Sequence, residues 1–181
     1  GVDVFFVISG FLLTCQLARA AGRGPLELGR RWSRTIARLL PCAVVVLVAT
    51  VVAGTLLLPE GRWSQTLREV VAAALFVENW RLAADAVDYA ARSSMSSPVQ
   101  HFWSLSIQGQ FFLVWPLLVA LVALAARGDA ARVRAHLTVA TLGVFVASLT
   151  FSVVLTAANQ PLAYFHSLTR LWEVALGGLL A

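Results

Sequence analysis

The sequence predicts an all-α integral membrane protein, a polytopic bundle of transmembrane helices with about five spans, and two observations carry that expectation. Of its 181 residues, 59% are hydrophobic and 13% charged, whereas soluble domains average about half apolar and about a quarter charged. The apolar residues also gather in long blocks, such as Leu39 to Leu58 and Phe111 to Ala126, each near the roughly 20 residues a helix needs to cross a bilayer core. Blocks of that length argue spans rather than core strands.

Taken in order, the first block is Val2 to Ala18, short and carrying Asp3 at its mouth. The second is Leu39 to Leu58, entered through Pro41, whose missing N–H is harmless in a first helical turn. The third runs from about His101 to Ala126, with Pro116 expected to kink it. The fourth is Leu137 to Ala157, and a fifth begins near Ser167 and is still short at Ala181. Between the second and third, Thr66 to Ala83 has a helical pattern, but Arg68, Glu69, Glu78, Asn79 and Arg81 leave only Val70 to Val77 as an apolar stretch. A charge at the bilayer centre costs on the order of 3 kcal/mol, so this segment is expected to lie at the interface or to re-enter.

The net charge of +5 excludes little by itself, because the basic residues stand between apolar blocks, where juxtamembrane loops need them. A nucleic-acid partner is not expected, since the aromatic residues sit inside apolar blocks rather than forming a stacking surface. All fourteen basic residues are arginine, which fits a GC-rich coding genome. Arg19, Arg23, Arg30, Arg31, Arg34 and Arg38 crowd the first loop, and Arg127, Arg132 and Arg134 the loop Arg127 to Ala135. With five spans both loops fall on one side, and the positive-inside rule makes that side cytoplasmic in a multi-pass plasma-membrane protein. The region Pro59 to Gln100 then lies outside, its arginines, Arg92 among them, balanced by carboxylates. Cys15 and Cys42 read as buried free thiols, and Trp63, Trp80, Trp103, Trp115 and Trp172 read mostly as an interfacial aromatic belt. No metal is expected.

Four strings are more specific than hydropathy: GVDVFFVISGFLLT at the start, RRWSRTIARLLP in the arginine loop, HFWSLSIQGQFFLVWP in the third span and RLWEVALGGLLA at the end. In this order and spacing, with the NW at Asn79 and the DY at Asp88, the chain resembles the membrane acyltransferase-3 family of bacterial O-acetyltransferase-like enzymes. The resemblance covers nearly all of residues 1–181, read as a partial transmembrane domain truncated at both ends. It implies transfer of an acyl group, often acetyl, from a coenzyme A thioester to a hydroxyl on a surface polysaccharide, lipid-linked sugar or similar acceptor. It also implies a helix before Gly1 bearing an arginine and a histidine that act in catalysis, so the isolated 181 residues are expected to be inactive and their own catalytic residues are unknown.

Residue chemistry leaves alternatives beside the resemblance. Arg30, Arg31, Arg34 and Arg38 recur at three- and four-residue spacing and share one helix face. Such a face can bind phosphate bidentately, or simply set topology and bind anionic lipid; Arg34 and Arg38 are the candidates for holding acyl-CoA, acetyl-CoA in the simplest case. Asp3 is either a functional intramembrane carboxylate or an N-cap. Ser9 and Gly10 suit close helix packing. His101, Ser104 and Gln108 share a face of the third span, as a base and nucleophile arrangement centred on His101 or as a polar seam lining an acceptor cavity. The family's usual glutamate is replaced by Gln108, which cannot transfer a proton. Arg170 and Glu173 are expected to pair, structurally or beside the acceptor. His136 and His166 read as solvated interfacial residues.

Membrane lipids and a carbohydrate or lipid-linked acceptor are the expected partners. The competing reading is a transporter or flippase for a lipid-linked sugar, which calls for inverted repeats and broken helices around a midplane site; no repeat is visible in the sequence.

Overall fold

A computed structural model describes residues 1–24, 26–88, 97–126 and 129–181; Tyr89, Arg92 and Arg127, used above for motif and charge, lie outside them. Among the described residues the chain is helical, with no strand: α1 (Val2–Ala21), α2 (Leu28–Leu57), a 3₁₀ turn (Glu60–Arg62), α3 (Trp63–Ala74), α4 (Glu78–Asp88), α5 (Phe102–Ala125), α6 (Ala130–Ala158), α7 (Gln160–Phe165) and α8 (Ser167–Leu179). Four of these, α1, α2, α5 and α6, are long and apolar enough to cross a membrane. The fifth segment starts at Ser167 as expected, but its 13 residues reach only about 20 Å.

Hydropathy located membrane entry rather than helix starts. α2 begins at Leu28, not Leu39, because arginine is a good helix former and the arginine run is its first third. Pro41 therefore lies in the helix interior rather than the first turn, where it removes one i to i−4 hydrogen bond.

Side-chain pairings set the direction of each helix. Asp3 meets Arg170, Trp115 Nε1 donates to Thr14 Oγ1 and Gln108 Nε2 to Ser9 Oγ, so α1, α5 and α8 run parallel. Ser148 on α6 binds Leu168 and Trp172 while Phe145 packs on Trp172, so α6 runs the other way. α2 opposes α5, with Leu47 clustering with Val99 and Phe102, and Leu39 lining a cavity with Leu113. α2 thus ends at the end of the bundle where α5 begins, and α3 and α4 join two points on that one end.

That connection is a re-entrant hairpin. Gly54 faces Thr66 and Leu47 packs on Ala73, so α3 folds back along α2 and its 12 residues carry the chain about 18 Å inward. Helix then stops at Leu75 to Val77, with Phe76 at φ 57° and the Val77 N–H turned back to the Ala72 carbonyl at 2.9 Å. Positive φ is rare for a bulky residue; here the Phe76 ring lies against Gly109, where a Cβ would stand 2.7 Å from it.

The bundle is apolar outside as well as inside. Val45, Val48, Val52, Leu56 and Leu57 on α2 and Val139, Val146, Val153 and Val154 on α6 are exposed, an arrangement suited to lipid rather than water. Two expectations change. Trp103 and Trp115 are core residues, packed with Phe6, Ile107 and Val174, while Trp63 and Trp80 keep exposed, belt-like positions. Cys15 is half-buried and Cys42 is exposed on the apolar surface, both as free thiols. Hydropathy cannot separate a lipid-facing from a core position.

The α1–α8 contact is made by backbones. A Cβ on Gly10 would overlap the Val174 carbonyl, and one on Gly177 the Val7 carbonyl and Phe11 nitrogen, so only glycine lets the two helices touch. Gly177→Val is expected to separate them and lower the melting temperature in detergent, with a loss on the order of 3 kcal/mol; an unchanged melting curve would contradict the packing.

Candidate functional site

At the end of the bundle away from the arginine run, Arg170 Nη1 donates to Asp3 Oδ1 at 2.8 Å and to Glu173 Oε1 at 2.9 Å. The guanidinium also lies over the rings of Tyr164 and Trp103, 5.0 and 5.7 Å from their centroids. Arg170 and Glu173 pair as the spacing required, and Asp3 joins them because α1 and α8 run in parallel contact. Asp3 is not an N-cap: Gly1 holds that position and no side-chain cap bond forms. Glu173 is fully buried, and its Oε2 has no partner. Asp3 and Tyr164 remain exposed beside it.

The expected seam on α5 divides. Gln108 reaches α1 through Ser9 at 3.2 Å. Ser104 donates to the main-chain carbonyl of His101 at 3.2 Å rather than to its imidazole, and His101 itself is exposed at the N-cap of α5.

The arginine face lines two concavities at the opposite end. One, of about 230 Å³, lies between α1, α2 and α5, where Arg31, Trp32, Arg34 and Arg38 face Gln16 and the apolar walls Leu13, Leu17 and Phe112. The indole Nε1–H of Trp32 is buried without a partner. The other, of about 380 Å³, joins Arg23, Glu27 and Arg30 to the same Arg31 and Arg34. Among the described residues, no group of three or more His, Cys, Asp or Glu could hold a metal.

All 181 residues match the family described as an acyltransferase domain, acyltransferase-3. The chain belongs to that family. It is 34% identical over 184 residues to a Staphylococcus aureus (strain COL) protein provisionally named an O-acetyltransferase. It is 33% identical over 185 residues to the O-acetyltransferase OatA of Staphylococcus aureus strain NCTC 8325. Each similarity covers the whole of this chain but 29% of the relative, so the chain spans under a third of the length of the proteins it matches. No solved structure matches it.

This acyltransferase-3 chain also holds a polar clamp that sequence reasoning missed. Asn79 Nδ2 donates to the Phe165 carbonyl at 3.1 Å and to Ser167 Oγ at 2.9 Å. Gln110 Nε2 donates to the Phe76 carbonyl and to Asn79 Oδ1, both at 2.9 Å, and Gln110 Oε1 accepts from Ser167 Oγ at 2.6 Å. The hairpin tip, α5 and the start of α8 are joined by this one network, and its members lie far apart in sequence with no shared periodicity. His166 is not a free interfacial residue: its Nδ1 accepts the Leu168 N–H at 3.2 Å, its ring packs on Trp80 and Phe151, and burial lowers its pKa. His136 is exposed.

Within the hairpin, Glu69 is satisfied by Gln65 and Ser97 at 2.9 and 2.8 Å, while both oxygens of the fully buried Glu78 lack partners.

One outcome follows from these contacts. Asn79→Leu strands buried donors and acceptors on Gln110, Ser167 and Phe165, so it is expected to cost about 1–3 kcal/mol, measurable as a lowered detergent melting temperature.

Proposed function

We propose that this chain is part of a membrane O-acyltransferase that moves an acyl group, acetyl in the simplest case, from a coenzyme A thioester to a hydroxyl of a cell-surface carbohydrate or lipid-linked sugar. One observation carries the reading beyond family membership: a cavity lined by the three guanidinium groups of Arg31, Arg34 and Arg38, with no carboxylate in its lining. Such a donor-rich site suits phosphate. Arg34 and Arg38 both line it, and its apolar walls lead into the bundle, as a pantetheine arm requires.

The positive-inside rule places this end, with the loops Arg19–Arg38 and Arg127–Ala135, in the cytosol of a plasma-membrane protein. Asp3, Arg170 and Glu173 then stand at the outer end, with Ser104 and Gln108 on α5 as further candidates for contact with the acceptor. This is the proposed approach of the acceptor. Attack of the acceptor oxygen on the thioester carbonyl forms the ester bond and breaks the C–S bond; the hydroxyl proton passes to a base and reaches the leaving thiolate. Asp3 and the exposed His101 are the ionisable candidates on this chain for that base. Gln108 can only orient through hydrogen bonds.

The helix break at Leu75 to Val77 is one feature that a transporter would share. Its freed backbone groups are already occupied, the Phe76 carbonyl by Gln110 and the Val77 N–H by Ala72. This favours a fixed plug over a cargo-binding break.

The test uses the full-length protein in membranes. Arg38→Ala is expected to raise the KM for acetyl-CoA about tenfold or more, the loss of a charge-assisted contact, with membrane insertion intact. Asp3→Asn is expected to lower kcat instead. Unchanged acetyl transfer by Arg38→Ala would remove the donor assignment.

A further inference from the structure

We propose that the gap beneath the tip of the re-entrant hairpin is a lipid site, filled by an acyl chain of one phospholipid from the inner leaflet. It does not rest on the reaction proposed for the two ends of the bundle.

The gap exists because the hairpin is too short to fill it. α3 carries the chain about 18 Å inward before helix stops at Leu75 to Val77. A bilayer core is about 30 Å thick, so about 12 Å remain beyond the tip, close to the depth of one leaflet. There α2 and α5 run on without the hairpin between them. A cavity of about 470 Å³ lies at this level, its walls including Ile36, Leu39 and Leu40 of α2, Leu75 and Val77 of the tip, and Leu113 of α5.

The lining suits hydrocarbon. Thr35 and Gln110 also line the cavity, but the Thr35 hydroxyl donates to the Arg31 carbonyl at 3.1 Å, and the Gln110 amide is held by Phe76, Asn79 and Ser167. Among the described polar groups of the lining, the Trp80 indole N–H alone keeps an unused donor. A polar ligand would lose its water there for a single hydrogen bond. Ile36, Leu40, Leu75, Val77 and Leu113 are all exposed, so the cavity opens sideways. Ile36 and Leu40 continue at four-residue steps into the exposed Val44 and Val48, one ridge on the helix surface, and the mouth is therefore continuous with the lipid-facing side of α2.

Size and depth select the occupant. A helix about 10–12 Å across rises 5.4 Å per turn and takes up roughly 500 Å³ in that turn, so the whole cavity holds no more than one turn of a further helix. A flexible chain fits without that constraint. The depth of one leaflet suits a phospholipid tail better than a polyisoprenoid carrier, whose chain is longer. The occupant also completes the packing of the tip, where Phe76 is held at φ 57° against Gly109. Helix contacts in a membrane depend on van der Waals approach, and an empty gap under Leu75 and Val77 forfeits it.

The experiment uses the full-length protein in palmitoyl-oleoyl phosphatidylcholine nanodiscs carrying a trace of phosphatidylcholine with a photoactivatable acyl chain. After illumination, labelled residues are mapped by mass spectrometry. Label is expected on Leu75, Val77 and Leu113, and one phosphatidylcholine per protein is expected to survive transfer into detergent in native mass spectra. Leu113→Trp fills the cavity with an apolar ring. It should abolish label on Leu75 and Val77 and the retained lipid, while label elsewhere and the melting temperature are kept. Leu40→Trp fills the cavity from the opposite wall and should do the same, which keeps the test decisive if the first variant misfolds. Label elsewhere but none at the tip overturns the proposal, because another segment of the full-length chain then covers the gap. Tip label that survives both variants, or no retained lipid in the wild type, also overturns it and reduces the gap to ordinary lipid-facing surface. Retention of a polyisoprenyl phosphate added to the nanodiscs, in place of phosphatidylcholine, would overturn the choice of lipid.

Discussion

The bundle is organised by the contact between α1 and α8, where Gly10 and Gly177 let two backbones meet without side chains between them. In a lipid solvent apolar burial gives little drive for helices to associate, so close van der Waals approach and interhelical hydrogen bonds must do it. The close approach fixes both rotation and register. With Gly10 against Val174, Asp3 is brought level with Arg170, and Thr14 level with Gly178 and Trp115. The outer ionic cluster is a consequence of the glycine seam rather than a separate design.

Once the helices are in register, the polar groups are placed by the need to be satisfied where water is absent. Thr14 receives the Trp115 N–H, Ser9 the Gln108 amide, and Ser148 serves both the Leu168 carbonyl and the Trp172 N–H. The clamp of Asn79, Gln110 and Ser167 does the same for a harder case, an interrupted helix whose tip lies about 18 Å into the bundle. Six groups among the described residues stand apart from this rule: Trp32 Nε1, the Glu78 carboxyl, Arg81 Nε, Ser106 Oγ, Thr141 Oγ1 and Glu173 Oε2.

The two ends of the bundle carry different side-chain chemistry, arginines at one and the Asp3, Arg170 and Glu173 cluster at the other. Permanent guanidinium charge at one end suits phosphates, which do not need a proton exchanged. Carboxylates near an arginine at the other end suit a hydroxyl, which must give one up. Between them α1 and α5 pack an apolar core that includes Phe6, Leu17, Ile107, Phe111 and Trp115.

The all-helical class, the order of the apolar blocks and the family were legible in the residues because they depend on local quantities: the length of apolar runs, the placement of arginine and motifs within single segments. Arg170 and Glu173 could be paired on the same grounds, being three residues apart on one helix. Joining Asp3 to them could not, since it lies 167 positions from Arg170 and only the glycine contact brings it there. The α3–α4 break, the clamp that holds it and the core places of Trp103 and Trp115 were likewise decided by tertiary structure. A residue's hydropathy is the same facing lipid or another helix, so only packing distinguishes the two.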